Sequence, residues 1–316
     1  MDTLAAFASA IREVPTCHLL HVDAGAGAHR TVFTFAGPPE AVFAAARAVY
    51  TVADARIDMR RHAGTHPRLG AVDVCPFVPI AGVTAAELIP QVEGLAAWAA
   101  DTFNLPVYLY ADSATGPGRA NLADVRRGEY EGLGDKMKSG GWAPDYGPAR
   151  PHPRLGATVM GVRPFLIAWN INLAPEATLP QAKQLAARLR GSGAGGRAGL
   201  FPGLKAIGWY IEEYGRCQIS CNVVDPDRTP LSRVYLTAVG LADGTGIRIT
   251  GSELIGLVPA RHLRSAAKGF CFEADEEAEM STAVTVLGLD DLGPFSWPER
   301  VLEARYRAAA QTDRPT

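Results

Sequence analysis

The hydrophobic positions of the first half change period in a regular order. Leu4, Ala5, Phe7, Ala8 and Ile11 recur near every 3.6 residues, which predicts a helix. HLLHV (18–22) and TVFTF (31–35) read as two strands of a hairpin around a glycine-rich turn. PEAVFAAARAVY opens a second helix, with Pro39 suited to its first position. The loop RHAGTHPRLG and an alternating strand, AVDVCPFVPI, follow. Thr84 and Glu87 have capping-box spacing for a helix to about Phe103, whose first turns Pro90 should distort. PVYLY (106–110) reads as the next strand.

From Ala111 to Pro151 periodicity fades among glycines and prolines, and a stretch that long is expected to be functional or mobile. The pattern then resumes with one strand over 158–173, a helix over 179–190 and strands over 205–213 and 215–224. A helix over 230–242 and a strand over 252–258 come next. ADEEAEMSTAVTVL and WPERVLEARYRA end the chain as helices. GSGAGGRAGLFPG (191–203) is the most flexible composition, suited to a lid or bare surface loop. Each half therefore reads as α+β, a mixed sheet covered by helices, and a chain of 316 residues fits two such subdomains.

Composition removes several functions. A formal net charge of −2 leaves no basic footprint for nucleic acid, and no apolar run approaches the ~20 residues that span a bilayer. MDTLAAFASAIREVP places an acid before any base, unlike a signal peptide. The five cysteines lack CxxC spacing and read as reduced packing residues of a cytoplasmic protein. GAGAHR and GSGAGG lack the strand-to-helix context of a phosphate loop or dinucleotide site.

Candidate chemistry gathers in RRHAGTHPRLGAVDVC, which holds His62, His66, Arg68, Asp73 and Cys75. Gly64 and Pro67 oppose a helix there, so zinc held by a His-x-x-x-His pair is weakly supported, and His62 reads as a loop residue. His66, restricted by a nearby glycine and proline just before a strand, is the better proton carrier. Asp23 ends a strand at a turn, where it enters a cleft or simply forms the turn. Asn170 and Asn172 share one strand face and need partners, from a ligand or from neighbouring groups. The letters HPRLGA occur twice, at 66–71 and 152–157, but their surroundings barely match, so coincidence is preferred to duplication.

HLLHVDAGAGAHRTVFTFAGPPE, RHAGTHPRLGAVDVCPFVPI, PVYLYAD, RRGEYEGL, WAPDYGP, GATVMGVRPFLIAWNINL, IGWYIEE, GSELIGLVP and LGLDDLGPFSWPER resemble, in order, the formiminotransferase domain family. That domain stands alone in glutamate formimidoyltransferase and forms the N-terminal part of formimidoyltransferase-cyclodeaminase. The resemblance implies formimino transfer from N-formimino-L-glutamate to N5 of tetrahydrofolate, in histidine degradation, with no metal. It implies subdomains at 1–163 and 164–306 with a cleft between them, a tail at 307–316, and pairing into a homodimer. The family's catalytic histidine falls on His66 and an active-site aspartate on Asp23. Its folate-contacting stretch falls on Gly147, Pro148, Ala149, Arg150, Pro151, His152, Pro153, Arg154, Leu155 and Gly156. Arg68, Arg154, Arg163 and Lys205 lie near matched motifs as cations for anionic tails, with Asn170 and Asn172 as further substrate contacts.

The sequence departs from the family at the site. Met1 leads almost directly into the first helix, so the family's first strand is expected to be missing, and the fused cyclodeaminase part to be absent after LEARY. Thr65 stands where an acidic residue is usual, Ala63 where a basic one is, and PHPRL replaces a tryptophan-containing segment. These departures keep a second reading in view, a folate-binding or structural homologue with lost or altered transfer. Metal-dependent hydrolysis is a third.

Overall fold

In the computed structural model, residues 2–26, 28–64, 66–271 and 275–312 are described. Met1, Gly27, Thr65, residues 272–274 and residues 313–316 lie outside them. The chain divides into two compact units, Met1–Pro164 and Phe165–Thr316. Each has its own core, and the architecture is α+β.

The first unit begins with α1 (Thr3–Arg12), the hairpin strands β1 (His18–Gly25) and β2 (Arg30–Ala36), and α2 (Pro39–Arg56). Alternation divides the hairpin into two faces. Leu19, Phe33 and Phe35 pack with Ile11, Ala41 and Ala45 of α1 and α2. The opposite face carries Asp23, Arg30 and Val32, because Asp23 pairs with Val32 and Gly25 with Arg30. The chain continues through β3 (Val74–Phe77), α3 (Ala85–Phe103), β4 (Val107–Leu109), α4 (Leu122–Arg126), α5 (Glu129–Lys138) and β5 (Thr158–Val162). These strands form a parallel sheet in the order β3-β5-β4.

That sheet is covered on both sides, as parallel sheets usually are. Phe77, Leu109 and Met160 pack with Leu88, Val92 and Leu95 of α3 on one side. Tyr108, Tyr110 and Val159 pack with Val125, Leu133 and Met137 of α4 and α5 on the other. The stretch from Ala111 to Pro151 is therefore a folded layer holding two short helices. Pro90 does not interrupt α3, whose first turn is anchored by both halves of the Thr84–Glu87 capping box.

The second unit contains β6 (Ile167–Leu173), α6 (Leu179–Leu189), β7 (Leu204–Ile211), β8 (Arg216–Val223), α7 (Leu231–Asp243) and β9 (Ile249–Ile255). Helices α8 (Ala260–Ala267), α9 (Glu276–Leu287), α10 (Trp297–Arg300) and α11 (Leu302–Thr312) complete it. Its sheet is antiparallel throughout, in the order β7-β8-β6-β9. Trp169, Ile171, Ile219 and Leu254 turn to the helices that form the core. The single strand expected over 158–173 is in fact β5 and β6, one in each unit. Residues 163–166 separate them, and Pro164 among these supplies no backbone N–H to continue a ladder. Among the described residues no helix is long and apolar enough to cross a membrane.

Candidate active site

The loop between α2 and β3 is organised by Asp73. One of its oxygens, Oδ1, accepts the backbone N–H of Leu69 at 2.9 Å and closes the loop on itself. The other, Oδ2, accepts from both Arg30 at the start of β2 and Arg126 at the end of α4. Asp73 is only 8% exposed, so one buried carboxylate holds three elements to one point. Ion pairs sharing a carboxylate in this way fix geometry more than they add stability.

His66 lies half-buried beside this clamp. Its Nδ1 is 2.8 Å from the carbonyl of Pro67, an acceptor only, and this contact, shorter than the one Nδ1 makes with a guanidinium donor, favours the proton on Nδ1 and the lone pair on Nε2. The guanidinium of Arg30 stands 3.4 Å from the same Nδ1. Burial, reinforced by that positive charge and by Arg126, pulls the imidazole down from its ordinary value to about 4. At neutral pH the ring is uncharged and able to accept a proton.

The two copies of HPRLGA meet. Gly70 and Gly156 form an antiparallel bridge. Ala71 N–H donates to Leu155 at 3.0 Å, and Ala157 N–H donates to Leu69 at 3.2 Å. A Cβ on Gly70 would strike the carbonyls of Leu155 and Ala157, and one on Gly156 the carbonyl of Leu69. Gly156 also needs φ of +72°, which glycine adopts without penalty. The bridge joins the His66 loop to the stretch from Gly147 to Gly156.

Within that stretch the polar groups have structural partners. His152 Nδ1 accepts the N–H groups of Leu155 at 2.9 Å and Arg154 at 3.3 Å, closing its own turn. Arg154 donates to the carbonyls of Asp54 and Ile57 at 2.7 and 3.2 Å, at the C-terminal end of α2. Leu155 is buried in the core, and Gly147 packs against the carbonyl of Leu105. Pro148, Ala149, Arg150, Pro151 and Pro153 are partly or fully exposed around this turn.

Other expected residues are placed differently. Asp23 lies on the same hairpin face as Arg30, 3.9 Å from His21. Arg68 is committed to a fork with Glu131, at 2.8 and 2.7 Å, and reaches Glu129 at 3.3 Å. His62 stacks on His29 with ring centroids 4.3 Å apart, and its Nε2 bonds the His29 carbonyl at 2.8 Å. Arg163 donates to Pro164 and, with Arg126, acts on Tyr110, whose phenol burial pushes up against their opposing charge.

In the second unit, Asn172 donates to Asp291 at 2.9 Å and accepts from Gln218 at 2.8 Å. Asn170 donates to Glu253 at 3.2 Å, and Gln218 donates to the same carboxylate at 3.0 Å. The two asparagines are thus members of a buried side-chain network on the sheet face opposite the core. Lys205 lies exposed on that face. A hollow of about 430 Å³ beside Glu277 and Trp297 contains none of the residues singled out from the sequence.

A family profile described as "Formiminotransferase domain, N-terminal subdomain" matches residues 1–163, and one described as "Formiminotransferase domain" matches residues 168–307. The chain belongs to the formiminotransferase family. It is 42% identical over 308 residues to formimidoyltransferase-cyclodeaminase of Rattus norvegicus, covering 96% of this chain and 57% of that protein. It is 39% identical over 257 residues to glutamate formimidoyltransferase of Streptococcus pyogenes serotype M1, covering 81% and 84%. A Thermoplasma acidophilum protein of the same name is 33% identical over 269 residues, covering 84% and 86%. The chain spans little more than half the length of the cyclodeaminase-bearing relative.

For a formiminotransferase-family chain, Arg30 and Arg126 are the residues that sequence reasoning missed. Arg30 had a signal, since it opens the strand opposite Asp23. Arg126 had none beyond lying in RRGEYEGL.

Proposed function

We propose that the chain transfers the formimino group of N-formimino-L-glutamate to N5 of tetrahydrofolate, with His66 as general acid and base. The observation that carries this reading is His66, its Nδ1 against the Pro67 carbonyl, on a loop bridged through Gly70 and Gly156 to residues 147–156, the stretch proposed here to take folate. N5 attacks the amidine carbon and forms the new C–N bond; His66 Nε2 takes the proton N5 then sheds. The bond from that carbon to the glutamate nitrogen breaks as His66 returns the proton to the departing nitrogen. No proton is gained or lost overall. Proton transfer by a placed side chain contributes ~10²–10⁴-fold. Asp23 serves to steady the cationic formimino group or the transient imidazolium.

Residues 147–156 hold the pterin-bearing substrate in this reading, largely through backbone, since their polar side chains support the fold. A cytoplasmic setting fits the five cysteines, all free thiols. Self-pairing of the domain is part of the proposal and is tested by light scattering on the purified chain. The reaction itself is tested by incubating the chain with both substrates. Glutamate release that requires both supports transfer; folate binding without release supports a binding homologue.

A further inference from the structure

The proposed reaction uses His66 but leaves unexplained why two guanidiniums converge on one carboxylate beside it. Arg30 and Arg126 each give Asp73 one terminal nitrogen. Among the described residues Arg126 Nε is buried with no hydrogen-bond partner, which is unfavourable for a protein donor. Burial and the charge of Arg30 both weaken Arg126's hold on its proton, against the opposing pull of Asp73. One carboxylate between two guanidiniums leaves an excess positive charge and unused donors in planar forks, the arrangement that recognises a second carboxylate.

We propose that Arg30 and Arg126 form the subsite for the α-carboxylate of the formimino donor. The inference rests on the transfer reading above. Reach selects the donor's α-carboxylate over other anions. It is joined through one carbon to the nitrogen that leaves, so it must lie close to the base when that nitrogen does. The carboxylates of folate are separated from N5 by the aminobenzoyl ring. Arg30, 3.4 Å from His66 Nδ1, places the subsite where only the nearer anion belongs. Occupancy has a chemical consequence. An anion there offsets the positive charge that adds to burial in holding His66 neutral, and so favours the imidazolium once the donor is bound.

Steady-state kinetics with both substrates varied test this in Arg126→Gln, with Arg126→Lys as the conservative variant and thermal melting to verify folding. The expected result is a donor KM raised about ten- to a hundred-fold, partial recovery with lysine, and a folate KM within about two-fold of wild type. The donor lacking the α-carboxylate, N-formimino-4-aminobutyrate, should be equally poor for wild type and Arg126→Gln. If the defect instead vanishes with tetrahydropteroate, which lacks the glutamyl tail, the arginines hold the folate and the proposal is overturned. An unchanged donor KM overturns it too. Calorimetry with L-glutamate separates this claim from the transfer reading. Binding to wild type that Arg126→Gln loses supports the subsite even without turnover, and equal binding or none contradicts it.

Discussion

Gly70 and Gly156 approach so closely that a side chain on either would meet backbone oxygen from the opposite segment. Their bridge joins the two copies of HPRLGA, and the hydrogen bonds on either side are exchanged between equivalent positions: Ala71 with Leu155, and Ala157 with Leu69. The repeated letters thus share a packing requirement, since each copy supplies the bare backbone the other needs. Replacing either glycine by alanine should cost about 2–4 kcal/mol, with the larger loss at Gly156, which also carries the left-handed backbone. Urea denaturation of the full chain measures it. A loss below about 0.5 kcal/mol at both positions would show that the bridge relaxes freely.

The two histidines of the repeat should separate cleanly by kinetics. His152 Nδ1 is occupied by two backbone N–H groups of its own turn. His152→Ala should cost about 1–2 kcal/mol of stability and raise the KM for folate, with kcat reduced only several-fold. His152→Asn, which restores an acceptor, should recover part of the stability. Thermal melting and steady-state rates check both outcomes.

The low value of His66 has a definite sign in pH. Its folded-state value, about 4, lies below the ordinary 6.5, so the native state favours the neutral ring. Acidification therefore withdraws this group's contribution to stability between about pH 6.5 and 4. In the free enzyme the acidic limb of kcat/KM assigned to His66 should fall near pH 4 rather than near 6.5. Arg30→Gln should move that limb upward, because the guanidinium is the main charge depressing it. A limb that stays in place in Arg30→Gln would contradict the electrostatic account.

Arg68 looked, from its place in the motif, like a partner for an anionic substrate. Its fork with Glu131 makes it a tie between the His66 loop and α5. Glu131 is well exposed, so solvent screens the pair, and a double-mutant cycle should return a coupling of only about 0.5–1 kcal/mol. The same cycle read through the KM for either substrate should show no comparable coupling.

The outline of the fold was legible where a local signal sufficed. Alternating residues and a glycine-rich turn marked the β1–β2 hairpin, the strands β7 and β8 were legible from their pattern, and the Thr84–Glu87 box marked the start of α3. The strand expected over 158–173 was one element too few, because apolar residues flank Arg163 and Pro164 on both sides. Helices α4 and α5 were lost for a different reason. They are short, and only Val125, Leu133 and Met137 among their residues are buried. The loop carrying His66 could be located through its glycine, its proline and the motif around it. Arg30 and Arg126 acquire meaning only through Asp73, 43 and 53 residues away, and no periodicity records a contact at that range.

The central claim is that His66 moves the proton between folate nitrogen and glutamate nitrogen. Transfer rates of wild type and His66→Ala, measured side by side at pH 7 with saturating N-formimino-L-glutamate and tetrahydrofolate, test it most directly. The predicted result is a kcat lower by about 10²–10⁴-fold in the variant, with reduced-folate binding retained. Undiminished turnover in His66→Ala would contradict it.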